Sequence, residues 1–359
     1  MIENALQVIG CGQCGTRIGL KFAKLGVDTY YINSDELDVR GTFIDARKLL
    51  LLGTSGTGGS PLKGKSLLKK HWKEFEAFIE ANIDPNKLIL VICGLGGGTG
   101  GSAAPLIINY LNKKKISTGC IATLPPRMQG ILAADNSLKT LKQLKDLKIN
   151  MFMLADNEYL MQSKGIGNDW WEEINNHIVI EVKSAFELLR EGKVTQAGIG
   201  SIDKGEIMRV LQYGNGMVDI RTMYFYHADF RTEDKDLLKK IFKPSLAEGY
   251  TYKSTLAYLI GIDIPKKKIY TKEAKKIFDI TKRVCGSAIS RLGMFADPML
   301  DDVVRVTMIN AGLKLPRVLQ SRINNLKRDE KRFVEKKAKE DILDLSELED
   351  GVFEEDFNI

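Results

Sequence analysis

Gly94-Leu95-Gly96-Gly97-Gly98-Thr99-Gly100-Gly101-Ser102 follows an apolar run at residues 88–93 and leads into a stretch of helical spacing. Glycine lets a backbone approach an anion closely and adopt positive φ, and the unpaired N–H groups that open a helix point at whatever sits there. A second turn of this kind, Gly10-Cys11-Gly12-Gln13-Cys14-Gly15, follows the apolar run 5–9. One such turn is a common accident; two indicate a nucleotide with several phosphates.

Further apolar runs at 29–32, 118–123 and 151–154 read as strands, with helical spacing or turn residues between them. This alternation predicts an α/β fold with a doubly wound parallel sheet, whose ligands bind at the carboxyl ends of the strands. Both glycine turns fall there, and so do the loops 33–38 and 53–64 and the turn Leu124-Pro125-Pro126. Asp169 is placed to cap a long, buried central helix from about 170 to 189, with Ile174, Ile178, Val182, Phe186 and Leu189 on one face. A helix over 207–213 and strands over 217–225, 255–264 and 303–309 then predict a second, smaller α/β domain, with the boundary near 190–200. The expected division is 1–168 for the nucleotide-binding domain, 169–198 for the central helix and connection, 199–314 for the second domain, and 315–359 for a charged C-terminal helix and acidic tail.

The 359 residues are 44% hydrophobic, enough for a substantial core in roughly two domains. No apolar run approaches the roughly 18 residues of a membrane helix, and the N-terminus lacks the pattern of a secretory signal, so a cytoplasmic protein with no membrane partner is expected. Five cysteines, odd in number and sparse, predict free thiols; Cys11 and Cys14 form a lone CxxC, and no zinc-site spacing links it to His71, His177 or His227. No protein-held metal site is predicted. The net charge of +7 is uneven: residues 317–340 carry nine Lys/Arg against four Asp/Glu, and 341–359 carry eight acidic residues and no base. That is the pattern of a solvated helix with an acidic end, and direct nucleic-acid contact is not expected. The charged stretches 235–240 and 266–276 read as solvated faces.

Three readings compete for the glycines. The first turn fits GxGxxG, with Asp35 about 20 residues on, as in a nicotinamide-dependent Rossmann oxidoreductase. That reading leaves the second loop without a task. Gly59-Ser60-Pro61-Leu62-Lys63-Gly64-Lys65-Ser66 fits the P-loop pattern, yet six flexible residues, 53–58, separate it from the strand-like 49–52, whereas a P-loop runs straight from strand to helix. The third reading employs every turn at once. Gly96–Gly101 and the following Ser102-Ala103-Ala104-Pro105 resemble the GGGTG(S/T)G signature of the tubulin/FtsZ family, with Gly101-Ser102 where the family has a hydroxyl residue and then glycine.

The resemblance extends from residue 5 to 312. Residues 10–19 are similar to the family's first phosphate loop, and Ile32-Asn33-Ser34-Asp35 to its INTD-like turn. Gly56–Gly64 is similar to its GAGGNPxxG loop, with Ser60 replacing asparagine. The stretch 295–307, closed by Asn310-Ala311-Gly312, resembles the FtsZ string ending DEVRVTVIATG. The resemblance implies GTP or GDP held with Mg²⁺ by Gly12, Gln13, Cys14, Asn33, Asp35, Gly58, Gly59, Ser60, Gly96, Gly97, Gly98, Thr99, Gly100 and Gly101. Trp171 and Asn175, with the family's aromatic-then-amide spacing, would hold the base.

It also implies a head-to-tail filament in which acidic residues of one subunit complete the GTPase site of the next. Ser201-Ile202-Asp203-Lys204-Gly205-Glu206 fits the family's NxDxx(D/E) loop, which makes Glu206 the residue expected to polarise water, with Asp203 beside it. Without the resemblance, the same two acids read as ordinary charge at a helix start. Asp219 is a further candidate, in a string similar to ADVRT. Gln129 stands where FtsZ has an acid and Ala133 where it has a phosphate-contacting arginine, and the FtsZ division peptide is lacking. These departures point to the TubZ group, implying plasmid or phage DNA segregation through a DNA-binding adaptor held by the C-terminal region; an FtsZ-like division role is the alternative.

Overall fold

A computed structural model describes residues 2–164, 169–189, 202–213, 216–265, 271–297 and 299–315, together with 325, 328, 332 and 335. The expected domain boundary at 190–200, Ser201 of the acidic loop, and most of the expected C-terminal helix and acidic tail lie outside the described residues.

The first half runs α1 (Ile2–Ala5), β1 (Leu6–Cys11), α2 (Gly12–Lys24), β2 (Thr29–Asn33), β3 (Leu49–Leu51), α3 (Pro61–Lys70), α4 (Trp72–Asn82), β4 (Leu88–Gly94), α5 (Gly98–Lys113), β5 (Thr118–Leu124), α6 (Gly130–Lys145), β6 (Met151–Asp156) and α7 (Asn157–Lys164). The second half runs α8 (Trp170–Glu187), α9 (Lys204–Gln212), β7 (Met217–Tyr226), α10 (Asp234–Ile241), β8 (Ala257–Pro265), α11 (Thr271–Cys285), β9 (Ile289–Asp297) and β10 (Val303–Leu313).

Every residue of β1, β5 and β6 is buried, as expected of parallel strands covered by helices on both faces. The strands form one sheet in the order β3-β2-β1-β4-β5-β6-β7-β10-β8-β9. It is parallel from β3 to β7, while β10 runs antiparallel to both β7 and β8. Strand order reverses between β1 and β4, so the loops leaving their carboxyl ends part and open a crevice. The second half continues the same sheet through a single registered pair, Phe152 with Met217.

Helix α8 lies on the sheet with Ile174, Ile178, Val182 and Phe186 buried against Ile18 and Phe22 of α2. Its start is capped as the sequence predicts, the Asp169 carboxylate accepting from the Glu172 N–H at 3.3 Å. The opposite face is covered by α4, α5 and α6 through Phe75, Ile107 and Leu141. A third core, around Phe225, Ile260 and Ile277, closes the second half.

Candidate functional site

The crevice at the β1/β4 reversal is a cavity of about 510 Å³. The N-termini of α2 and α5 both open into it, so two sets of unpaired N–H groups and two positive dipole ends face one space. Close packing brings them together. Gly12 has a φ of +66°, and a Cβ there would lie 2.9 Å from the Gly100 nitrogen; a Cβ on Gly98 would lie 2.7 Å from the Ser60 nitrogen. Ser34 and Thr99 join their hydroxyls at 2.6 Å, tying the loop after β2 to the start of α5.

Of the residues expected to hold nucleotide, Gly12, Gln13, Cys14, Asp35, Gly58, Gly59, Gly96, Gly97, Gly98, Thr99, Gly100, Trp171 and Asn175 line this cavity. Three do not, and each has a structural task instead. Asn33 is fully buried: its carboxamide donates to Thr16 Oγ1 at 3.3 Å and accepts from the Ser34 N–H at 2.8 Å, which shapes the turn. Ser60 caps α3, accepting from the Lys63 N–H at 3.4 Å. Gly101 faces away from the cavity, where a Cβ would lie 2.8 Å from Thr140 Oγ1 of α6.

The cavity also takes in Arg17, Asp38, Thr57, Thr123, Gln129 and Asn157, which were not singled out as ligands. Their signal was position: Thr123 and Asn157 lie at the carboxyl ends of β5 and β6, where the fold rule puts ligands. Trp171 stacks on Trp170 with 3.7 Å between ring centroids, and Trp170 packs on the core, so the aromatic wall is braced from within.

The P-loop lookalike does not form a phosphate loop. Lys65 lies on α3 and does not line the cavity, and Gly64 serves close packing, since a Cβ there would stand 2.5 Å from the Gly98 carbonyl oxygen. Nor does either glycine turn stand alone as a Rossmann turn, because both enter one cavity. All five cysteines are free thiols. Cys14 Sγ sits 3.2 Å from Thr123 Oγ1, and burial pushes its thiol up to about 11, so it is a neutral wall residue. Burial also pushes the Asp38 carboxyl up, against hydrogen bonds from Asn33 and Gln13.

Asp203 and Glu206 lie elsewhere. Asp203 caps α9, its carboxylate accepting from the Glu206 N–H at 2.7 Å, while Glu206 Oε2 accepts from the Asp203 N–H at 3.3 Å. Lys204 Nζ donates to the Asn86 carbonyl at 3.2 Å, and Asn86 precedes β4. The acidic pair therefore sits at the amino edge of the sheet and the cavity at its carboxyl edge, separated by the seven residues of β4, roughly 20 Å. Asp219 is interior to β7, only 3% exposed and paired with Arg221, where no substrate reaches it.

The fold and the cavity together define a nucleotide-binding α/β protein whose candidate acids cannot serve its own cavity. Residues 5–165 match the model of the tubulin/FtsZ family, GTPase domain, a family whose members are GTPases. The chain is 26% identical over 369 residues to the cell division protein FtsZ of Methanothermobacter thermautotrophicus, covering 98% of this chain and 92% of that protein. It is 26% identical over 352 residues to the tubulin-like protein CetZ of Pyrococcus horikoshii, covering 93% and 92%. The fold is the tubulin/FtsZ fold: the chain superposes on a GTPγS-form protofilament of Bacillus thuringiensis serovar israelensis TubZ with a TM-score of 0.77, covering 96% and 94%, at 14% identity. At that identity the TubZ likeness is one of fold, so the TubZ group expected from the departures is not established.

Proposed function

We propose that this chain polymerises head to tail and hydrolyses GTP at each junction, the nucleotide lying in the glycine cavity of one copy and Glu206 and Asp203 arriving from the next. The observation that carries this is the placement of the two halves of the site at opposite edges of one sheet. A carboxylate fixed at the amino edge can orient water on a phosphate only when another copy brings it there. The capping box supports the same role, since it holds both acids at the exposed start of α9.

Within the cavity the N–H groups of α2 and α5 take the phosphates, Trp171 stacks on the guanine and the Asn175 carboxamide meets its edge. No group of three or more His, Cys, Asp or Glu suited to a metal occurs among the described residues. A Mg²⁺ fits here as phosphate-held, with Asp35 or Asp38 as its protein ligand; bound so, it would neutralise charge between the phosphates.

The names of the sequence relatives favour an FtsZ-like role in cell division. Plasmid or phage DNA segregation, through an adaptor on the C-terminal region, has only the fold likeness to TubZ behind it. A fluorescent fusion separates the two: it collects at the division plane in the first case and follows plasmid or phage DNA in the second. For the biochemical reading, purified protein is mixed with GTP and Mg²⁺ and followed by light scattering and phosphate release. Assembly that needs GTP is expected, with Glu206→Ala assembling but losing most turnover; an absence of nucleotide-dependent assembly would remove the proposal.

A further inference from the structure

The cavity is poor in positive charge. Among its lining residues Arg17 is the one cation, against Asp35 and Asp38, so the protein's own charge there is negative before a triphosphate is added. Lys63 and Lys65 of α3 stay outside, and position 133, where the resembling family has an arginine, is alanine packed at 3.0 Å against the place of a Gly96 Cβ. Phosphoryl transfer concentrates negative charge on the transferred group and depends on fixed cations to stabilise it.

A cation of the right kind stands beside Glu206. Residue 202 is seated on β9 at Gly293, where a Cβ would lie 2.6 Å from Ile202 Cδ1. Two residues earlier on the same face of that strand, Arg291 Nε meets Glu206 Oε1 at 3.1 Å. Arg291 Nη1 donates to the Ser290 carbonyl at 3.2 Å, and Nη2 has no hydrogen-bond partner among the described residues. The side chain is 42% exposed, so the ion pair adds little to stability and the guanidinium keeps donors for another acceptor.

We propose that Arg291 is carried with Glu206 to the neighbouring copy's nucleotide, where its guanidinium donates to the γ-phosphate oxygens as a catalytic arginine supplied in trans. This rests on the head-to-tail reading above. In the step itself, water oxygen bonds to the γ-phosphorus while the bond from that phosphorus to the β–γ bridging oxygen breaks, its electron pair leaving on GDP. Glu206 orients the water, whose proton passes to the released phosphate, and Arg291 compensates charge on the three outer oxygens. In the free chain the same guanidinium holds the Glu206 carboxylate in place.

The test uses the full chain and four substitutions. Arg291→Ala should bind GTP as the wild type does, because its cavity is untouched, yet lose about 100-fold or more in turnover per assembled subunit. Arg291→Lys should fall between, and millimolar guanidinium should raise the turnover of Arg291→Ala polymers but not of Glu206→Ala polymers. Gly97→Asp supplies a copy with a disabled cavity: Gly97 caps α5 in extended backbone, and a Cβ there would meet only the Gly94 carbonyl oxygen at an ordinary 3.8 Å, so the carboxylate is tolerated and repels phosphate. Mixing Arg291→Ala with Gly97→Asp should restore turnover, since the first offers an intact cavity and the second an intact arginine.

Wild-type turnover per assembled subunit in Arg291→Ala would overturn the proposal. So would a silent mixture with Gly97→Asp while Glu206→Ala with Gly97→Asp recovers. If both mixtures stay silent, the head-to-tail reading fails and takes Arg291 with it. Should Arg291→Ala not assemble alone, it is doped into wild-type polymers, where turnover must drop in proportion to the fraction added; an unchanged rate per subunit again overturns the idea.

Discussion

Gly12 holds a φ of +66° with the Gly100 nitrogen 2.9 Å from where a Cβ would stand, so it answers to two constraints at once. Gly12→Ala meets both the left-handed backbone and the second helix start, and should cost about 1–3 kcal/mol of stability. The stabilisation of the melting temperature by GTP should fall with it, because the N–H groups move apart. A melt of the variant that matches the wild type with and without GTP would refute this. Glu181 behaves differently. It is buried beside Ser245 Oγ at 2.5 Å and His177 Nε2 at 3.6 Å, with Arg221 also near, and burial pushes its carboxyl up to about 7. The folded chain then holds this proton more tightly than the unfolded chain does. Its contribution is complete below about pH 4.5 and is lost as pH rises through 7. Glu181→Gln keeps the shape without the titration, so it should be more stable than the wild type by about 2–3 kcal/mol at pH 8 and little changed near pH 4.5. Urea unfolding at the two pH values measures the difference.

Among the elements, α8 shows how far local pattern reaches. Its cap and buried face were readable because Asp169 directly precedes the run and the apolar residues recur every three or four positions. The two features carry unequal weight. Asp169→Ala removes one exposed cap bond and should cost about 1 kcal/mol, whereas Phe186→Ala empties a fully buried site and should cost about 3–5 kcal/mol. Chemical denaturation of both variants would show the order, and equal losses would contradict it. The cavity was legible for a related reason: residues that end parallel strands must meet at one edge. Finer placement was not. Gly101 is one step along α5 from Gly100, and that step turns it about 100° away from the cavity toward Thr140. Asn33 and Ser60 were expected at the nucleotide from the resemblance; the bonds by which they shape a turn and cap a helix depend on folded neighbours that a motif does not report. The join between the halves, Phe152 against Met217, pairs residues too far apart in the chain for any local pattern to report.

At the scale of the whole molecule, the head-to-tail reading proposed above would make catalysis a property of pairs, because cavity and acids lie apart. A lone copy has the cavity at the carboxyl edge and Glu206 at the amino edge, with the length of β4 between them. Turnover per molecule should therefore be near zero in dilute protein and rise steeply once copies meet, while GTP binding stays independent of concentration. An enzyme with a complete site in each chain gives a constant rate per molecule instead. Phosphate release measured across a hundredfold range of protein, with nucleotide binding measured in parallel, separates the two. A flat specific activity would show that the chain carries all of its catalytic groups at one edge. A steep one, with Glu206→Ala acting as a dominant inhibitor in mixtures, would follow from acids that serve only the neighbouring copy.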